Sequence, residues 1–257
     1  MLVSKLFIEF VVFSFIGWVY ECTYCTVKEG HWSNRGFLFG PICPIYGTGT
    51  VLTLIIFGYV PFFSRMSVNE IPIWQIFLIC SVGSIFLEYG TSYFLEKRFH
   101  AVWWDYNDMP LNINGRVCVP ATLGFGVAGI LVTRFVLPFS FKFCETVNPY
   151  VAEVIALFLM AYLAADIVLT VSSLYHLLAM VEKTMGGFDE RMEGAVQIAR
   201  EKVNTTAEML DFRQKYQLKS IKNFRFKRPV LRSGKLINTK VMLEAFKALQ
   251  DKIKTGK

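Results

Sequence analysis

The sequence predicts an all-α membrane protein, a polytopic bundle of about five transmembrane helices followed by a basic helical tail. Hydrophobic residues make up 54% of the 257 residues and charged residues only 18%, whereas soluble chains carry about 25% charge. The mean hydropathy is +0.42, and 24 phenylalanines add side chains that lipid tolerates. These values exclude a soluble cytoplasmic enzyme.

Five segments are apolar over about 20 residues, the length that a helix needs to cross a hydrocarbon core of about 30 Å. They are residues 2–27, 42–63, 71–95, 117–139 and 150–181. The first stretch is longer than a signal-peptide core and no small-residue cleavage site follows it, so we predict an uncleaved first span. The fifth is longer than a bilayer requires and is expected to tilt or to project towards the tail.

Basic residues are concentrated after the spans. Residues 1–181 contain 9 Lys and Arg against 11 Asp and Glu, while residues 182–257 contain 18 against 9. A basic segment beside apolar spans is typical of the cytoplasmic face, where anionic lipids lie, and no nucleic-acid-binding motif accompanies it. We predict a transmembrane domain over residues 1–181, a cytoplasmic tail over residues 182–257 and an N-terminus outside the cell.

Two amphipathic stripes are predicted in the tail. Apolar residues recur every three or four positions over residues 188–210, as on one face of a helix. A basic linker with Pro229 and Gly234 follows. The second stripe consists of Met242, Phe246, Leu249 and Ile253. The sequence leaves open whether the stripes pack together, lie on the membrane or meet a partner.

Two stretches of the transmembrane domain are similar to each other. In the first, Glu21 near a span end precedes Asn34-Arg35-Gly36 and then a Cys, a Pro and a Gly-x-Gly. In the second, Glu88 precedes Asn114-Gly115-Arg116 and the same succession. This similarity predicts a parallel duplication, in which spans one and two match spans three and four. Chance similarity between two glycine-rich loops is the alternative.

Charged groups near the hydrocarbon give the candidate site. A carboxylate there normally finds a cation, so Glu21 and Glu88 are expected to pair with Arg35 and Arg116. These pairs either pin the loops or belong to a shared polar cavity. The candidate cavity residues are Glu21, Asn34, Arg35, Tyr46, Glu88, Trp104, Asp105, Asn114 and Arg116. The glycines and prolines of the first loop predict irregular backbone, which protein or a water-filled cavity must satisfy.

Other polar residues of the spans carry separate expectations. Asp166, near the middle of the fifth span, is a candidate proton or cation site, and a hydrogen bond to a Ser or Tyr is the structural alternative. His176, near the inner end of that span, is interpreted as a packed side chain. Cys22 and Cys25 have metal-ligand spacing without a second ligand pair, so no metal and no cofactor are expected.

Motifs of the common catalytic machineries are missing from the sequence. It contains no phosphate-binding loop, zinc-peptidase motif, nucleophilic-serine motif or iron–sulfur cysteine run, which argues against an enzyme and against an ATPase within this chain. Three functions remain open: a transport component, a membrane enzyme acting on lipid or isoprenoid head groups through the Glu/Arg/Asn cavity, and a sensor or assembly partner acting through its tail.

Several strings resemble the bacterial family described as Putative ABC-transporter type IV, that is, putative ABC transporter permeases. They are Gly17-Trp18 with Glu21, Asn34-Arg35-Gly36-Phe37-Leu38, Gly40-Pro41, Cys43-Pro44-Ile45-Tyr46-Gly47, Leu87-Glu88-Tyr89, Trp104-Asp105-Tyr106 and Asn114-Gly115-Arg116. The resemblance covers roughly residues 10–130 and implies a multi-pass protein of a bacterial plasma membrane. The resemblance supplies no established site residues. As a transport component the chain is expected to pair with a separate ATPase subunit and to form a homodimer within the lipid bilayer, and no nucleic acid is expected as a partner.

Overall fold

The computed structural model describes residues 2–30, 32, 34–185, 207–224 and 239–255. The helices are α1 (Leu2–Glu29), α2 (Pro44–Tyr59), α3 (Pro61–Ser64), α4 (Ile73–Phe99), α5 (Val119–Leu131), α6 (Leu137–Thr146), α7 (Pro149–Met185), α8 (Phe212–Ser220) and α9 (Thr239–Thr255). The strands in these ranges have two residues each: β1 (Ala101–Val102), β2 (Asn112–Ile113), β3 (Val117–Cys118) and β4 (Asn223–Phe224). The predicted all-α class is confirmed.

Four helical stretches of the described chain are long and apolar enough to cross a membrane. They are Leu2–Lys28, Ile73–Phe99, Val119–Phe143 and Pro149–Met180. The predicted second span is shorter than expected, because α2 has 16 residues and is about 24 Å long. It ends where Pro61 forces Val60 into an extended conformation with ψ of 126°. The described chain therefore has four long spans and one shorter apolar helix.

The fourth span is continuous but widened near its middle. Residues Val132–Val136 form a π-helical segment between α5 and α6. Pro138 follows it, and proline lacks the N–H that would bond the carbonyl of Arg134. The side chain of Arg134 donates from Nη2 to the backbone oxygen of Ile71 at 2.6 Å. This contact uses a charged residue that lies inside the span and that the sequence analysis did not single out.

The chain divides into two compact units. The first consists of residues 1–91 and 106–166, and the second of residues 92–105 and 167–257. Both α4 and α7 contribute residues to each unit. These units are defined by contacts within the fold, whereas the sequence-based boundary at residue 181 is defined by hydropathy and charge. That boundary between the transmembrane domain and the tail stays a prediction.

Two apolar clusters form the core of the first unit. One contains Leu54, Phe57, Ile71, Ile76 and Leu137. The other contains Val11, Leu38 and Ile42, and it places the loop after α1 in contact with apolar side chains of α1 and α7. That loop is therefore folded into the protein rather than left in solvent.

Glycines allow two close helix crossings in the first unit. Gly47 of α2 lies against Phe10 and Ser14 of α1, where an added Cβ would collide with the Phe10 carbonyl oxygen and the Ser14 hydroxyl. Gly126 of α5 lies in the same manner against Phe77 and Ser81 of α4. Small residues at such crossings let two membrane helices approach closely.

The second unit joins the tail to the ends of α4 and α7. Gln217 of α8 donates from Nε2 to the Thr170 oxygen of α7 at 2.8 Å, and Gln250 of α9 donates to the Leu218 oxygen at 2.8 Å. Strands β1 and β4 pair antiparallel. Phe246 and Leu249 are buried, so these two residues of the second stripe pack within the unit. Most of the first stripe and the basic linker lie in residues 186–206 and 225–238, outside the described residues.

Candidate functional site

The first candidate carboxylate is paired with a tyrosine. Glu21, near the C-terminal end of α1, is half-buried, and its Oε1 accepts a hydrogen bond from the Tyr46 hydroxyl of α2. Tyr46 reaches this position because its ring lies directly against Gly17, where any Cβ would collide with it. The sequence placed both side chains in one cavity, and the structure brings them into direct contact.

Asn34 and Arg35 lie beside the same helix end. The Trp18 indole donates from Nε1 to Asn34 Oδ1 at 2.9 Å, and the Arg35 N–H donates to Cys22 Sγ at 3.3 Å. The loop then returns to α1, where the Cys43 N–H donates to the Ser14 oxygen at 2.9 Å. Cys22 is 1% exposed and acts here as a buried acceptor. Among the described residues, no group of three or more His, Cys, Asp or Glu side chains is arranged to hold a metal ion.

Asp166 holds the irregular part of the first loop. Its Oδ1 accepts the Phe39 N–H at 3.0 Å and its Oδ2 accepts the Gly40 N–H at 2.9 Å. Gly40 has no Cβ, and one would collide with Asp166 and with the Tyr162 hydroxyl. The sequence analysis singled out Asp166 as an intramembrane carboxylate and expected the irregular backbone of the first loop to need hydrogen-bond partners. The structure shows that Asp166 is a partner of that backbone. Two partners of Asp166 are backbone N–H groups, which the sequence analysis did not foresee.

The second candidate carboxylate also accepts from a tyrosine. Glu88 of α4 is 3% exposed, and its Oε1 accepts the Tyr106 hydroxyl at 3.3 Å. Its Oε2 is buried and has no hydrogen-bond partner among the described residues. Tyr106 precedes the β2–β3 hairpin, and its N–H donates to the Gly115 oxygen at 2.8 Å. Neither Tyr106 nor its role was predicted, although Trp104-Asp105-Tyr106 was among the strings that carry the resemblance.

Asn114 and Arg116 meet the residue next to Glu88. The Tyr89 hydroxyl accepts from Arg116 Nη1 at 3.1 Å and from Asn114 Nδ2 at 3.3 Å. The Arg116 guanidinium lies 5.0 Å from the centre of the Tyr89 ring, a cation–π distance. Arg116 is buried, so its charge is held beside the second half of α4 by the aromatic face and the hydroxyl oxygen of Tyr89.

The two carboxylates act on the same hydroxyl. Burial raises the pKa of Tyr106, and the negative charges of Glu88 and then of Glu21 raise it further. We call the two hydrogen-bonded pairs, Glu21 with Tyr46 and Glu88 with Tyr106, the acid–tyrosine cluster. A tyrosine with a raised pKa keeps its proton and remains a hydrogen-bond donor at physiological pH.

The remaining site expectations have separate outcomes. Glu21 accepts from the Tyr46 hydroxyl and, through Oε2, from the Cys25 thiol at 3.9 Å, and Glu88 accepts from the Tyr106 hydroxyl. The Arg35 and Arg116 ion pairs stay a prediction. Trp104 and Asp105 belong to the second compact unit, so their place in the cavity also stays a prediction. Tyrosine was the missed signal, because a phenol can serve a buried carboxylate as donor where the sequence analysis looked for cations.

These features define a bundle of apolar, membrane-length helices with a polar, acid-rich cluster. A family model described as Putative ABC-transporter type IV matches residues 8–171, which is more than half of the chain. The chain belongs to this family, as its sequence motifs had suggested. No curated protein and no solved structure matches the chain.

Proposed function

We propose that the protein is the membrane-embedded permease component of a bacterial plasma-membrane transporter that takes its energy from a separate ATPase subunit. Family membership and the four long apolar helices support a role in transport. The absence of a phosphate-binding loop from the sequence supports an external energy source. In this proposal the basic tail faces the cytoplasm and the N-terminus lies outside.

The acid–tyrosine cluster is the observation that carries the proposal. Glu88 is almost fully buried, one of its oxygens accepts from Tyr106, and the other has no hydrogen-bond partner among the described residues. Burying a carboxylate without full compensation is unfavourable, and carboxylates in such positions commonly serve cation or proton pathways. A cation or a proton that binds at Glu88 would supply the missing interaction.

The difference in burial between the two acids suggests an order of binding. Glu21 is half-buried, whereas Glu88 is 3% exposed. A cationic group therefore reaches Glu21 first and Glu88 second. The hydroxyls of Tyr46 and Tyr106 hold the two carboxylates in position, and the charge of Arg116 stays at the Tyr89 ring, where it limits the total negative charge of the region.

Partner identification is the first experiment. The tagged full-length protein is purified from native membranes in mild detergent, and its partners are identified by mass spectrometry. We expect an ATPase subunit in the preparation and ATP hydrolysis that depends on it. If no ATPase co-purifies and the protein alone converts a lipid head group, the protein is a membrane enzyme and not a transporter component. Loss of function on deleting residues 188–257, with no transport activity at any stage, would indicate a sensor.

The second experiment tests the cluster itself. Proteoliposomes containing the purified complex are assayed for ATP-dependent flux of protons, sodium and potassium with ion-specific fluorescent indicators. Glu88→Gln is expected to lower the active flux about tenfold, the change that a loss of about 1.4 kcal/mol produces. Glu153→Gln removes an exposed carboxylate of α7 and serves as the matched control, with flux expected to change less than about twofold. Equal flux in the two variants would contradict the proposed role of Glu88.

A further inference from the structure

A second polar region lies entirely within the second compact unit. An open cavity of about 980 Å³ is lined by the C-terminal half of α7 and by residues at the start of α8. Its α7 side includes Ser172, Ser173 and His176, and its α8 side includes Arg213 and Gln214. The volume is in the range of sites that hold ligands of lipid-head-group size. His176 is exposed rather than packed, contrary to the sequence-based interpretation.

The length of α7 favours a position of the cavity at the membrane surface. The helix begins at Pro149, next to the exposed aromatic side chain of Tyr150, which is typical of a membrane–water interface. Leu169, the first residue of α7 that lines the cavity, lies about 30 Å further along the helix, which is about the thickness of the hydrocarbon core. A hydrocarbon core that begins at Pro149 would therefore end near Leu169, within the apolar stretch Pro149–Met180 and at the first residue of the cavity lining.

One side chain in the cavity lacks an interaction that a ligand would supply. Ser173 is 8% exposed, and its Oγ is buried with no hydrogen-bond partner among the described residues. A buried hydroxyl normally bonds a carbonyl, a side chain or a bound molecule. Its O–H is available as a donor in a cavity that also contains the imidazole of His176 and the guanidinium of Arg213.

The rest of the lining is consistent with an anionic amphiphile. Leu169, Met180 and Met209 provide apolar surface beside the polar groups. Asp211, a carboxylate in the lining, already accepts the Gln214 N–H at 2.8 Å as the N-terminal cap of α8. Donors and cations next to apolar side chains at head-group depth match a phosphate ester that carries acyl chains.

We propose that this cavity binds the head group of an anionic phospholipid, with Arg213, His176 and Ser173 at the phosphate and the methionines against the glycerol and acyl region. The site is separate from the acid–tyrosine cluster and does not depend on the transporter proposal. A free phosphate ion would share the same polar contacts but would leave the apolar lining unused, so the lipid is the favoured ligand.

Native mass spectrometry of the detergent-solubilised full-length protein tests the assignment. The protein is titrated with phosphatidylglycerol, phosphatidylcholine and inorganic phosphate, and the retained adducts are counted. We expect phosphatidylglycerol to bind best and Arg213→Gln to weaken it about tenfold, as for the loss of one charge-assisted hydrogen bond. Lys219→Gln removes an exposed charge from the same helix outside the cavity lining and should change binding less than about twofold.

Equal losses in Arg213→Gln and Lys219→Gln, or equal binding of the two lipids, would overturn the proposal. Displacement of phosphatidylglycerol by millimolar inorganic phosphate would identify a soluble phosphate site and overturn the lipid assignment. Ser173→Ala provides a test that does not risk the fold, because it removes a hydroxyl without a partner. Without lipid, the melting temperature of the Ser173→Ala variant should equal or exceed that of the wild type. Phosphatidylglycerol should raise the melting temperature of the variant less than it raises that of the wild type. An undiminished increase would also contradict the proposal.

Discussion

The hairpin formed by α1 and α2 and the hairpin formed by α4 and α5 have the same type of helix crossing. In α1 a phenylalanine and a serine four residues apart contact a glycine of α2, and in α4 a phenylalanine and a serine with the same spacing contact a glycine of α5. The serines are Ser14 and Ser81. Each precedes by seven residues the glutamate of its helix, Glu21 or Glu88. The sequence-based duplication now has a counterpart in equivalent helix contacts.

The donors to the two glutamates come from different elements. Tyr46 belongs to α2 and is placed by a helix crossing, whereas Tyr106 belongs to the loop after α4 and is placed by a backbone bond to Gly115. The same chemical pair is therefore built in two ways. A helix and a loop can therefore each place a tyrosine hydroxyl beside a buried or half-buried glutamate.

The two loops are also stabilised in different ways. The first loop depends on Asp166 of α7, a residue 126 positions from its partner Gly40. The second loop is stabilised by its own β2–β3 hairpin, whose turn contains Asn114 and Gly115 with φ of 53° and 66°. Asn-Gly is a strong signal for such a turn because both residues tolerate positive φ. The first loop therefore depends on tertiary contacts, and the second depends mainly on local ones.

Removing Asp166 should give the largest effect and should act on one loop only. Asp166→Ala leaves two N–H groups of the first loop without acceptors and is expected to destabilise the fold by about 3 kcal/mol, since a hydrogen bond to a charged group contributes about 1.5–3 kcal/mol. Limited proteolysis should show new cleavage in residues 34–43 and none in residues 107–116. The exposed Glu153→Ala on the same helix is the control. Cleavage of both loops together would show that they are not stabilised separately.

Adding a methyl group at the two helix crossings should destabilise the two hairpins to different extents, and this is the second largest expected effect. At Gly47 the new Cβ meets a backbone oxygen of Phe10, which cannot rotate away, whereas at Gly126 it meets only the side chains of Phe77 and Ser81. We expect Gly47→Ala to cost about 2 kcal/mol and Gly126→Ala about 1 kcal/mol, measured by denaturant unfolding in detergent.

Gly83 of α4 provides the matched control for this pair. A Cβ at Gly83 has no atom within 4 Å, so Gly83→Ala should be neutral or stabilising, because alanine favours helix more than glycine does. If Gly47→Ala were as harmless as Gly83→Ala, the close crossing of α1 and α2 would be refuted.

Removing the tyrosine hydroxyls should reveal the difference in burial between the carboxylates. Tyr106→Phe leaves the buried Glu88 without its donor, and we expect a loss of about 1.5 kcal/mol. Tyr46→Phe should cost less, about 0.5 kcal/mol, since the half-buried Glu21 remains accessible to water. Thermal unfolding measures both. The double variant Tyr106→Phe with Glu88→Gln should recover part of the loss, and no recovery would argue against the Tyr106–Glu88 hydrogen bond.

The turn of the second loop should give a smaller effect than the loss of Asp166, and one confined to that loop. Gly115→Ala places a Cβ at φ of 66°, and we expect a cost of about 1 kcal/mol with proteolysis confined to residues 107–116. Gly90→Ala, in an open position on α4, serves as the control. Full stability in Gly115→Ala would show that the local turn contributes little to this loop.

Much of the fold could be predicted because its signals are local. Hydropathy located the spans within a few residues, since a membrane helix satisfies its own backbone and needs only an apolar surface. The second span was overestimated because the apolar run continues through Val60-Pro61, where proline ends the helix. The π-helical segment of the fourth span was missed, although Pro138 was a local signal for it.

The sequence analysis named candidate site residues but did not predict their contacts, and their role as a functional site stays a prediction. Glu21, Tyr46, Glu88, Asn114, Arg116 and Asp166 were all identified from their chemistry and position. The hydrogen-bond partners were not predicted: Asp166 accepts from the Phe39 and Gly40 N–H groups, and Glu88 accepts from Tyr106. These contacts depend on how the elements pack, and a single sequence contains no direct signal of that packing.

By itself the sequence determined that the chain is a bundle of membrane helices and that two of its apolar stretches contain a glutamate, Glu21 and Glu88. That conclusion follows from composition, because lipid rejects polar surface and tolerates helices. Only the tertiary structure decided that tyrosines donate to those acids and that a carboxylate of α7 holds the first loop. The physical reason is that a carboxylate accepts equally well from a guanidinium, a phenol or a backbone N–H, and the packing of the helices selects the donor within reach.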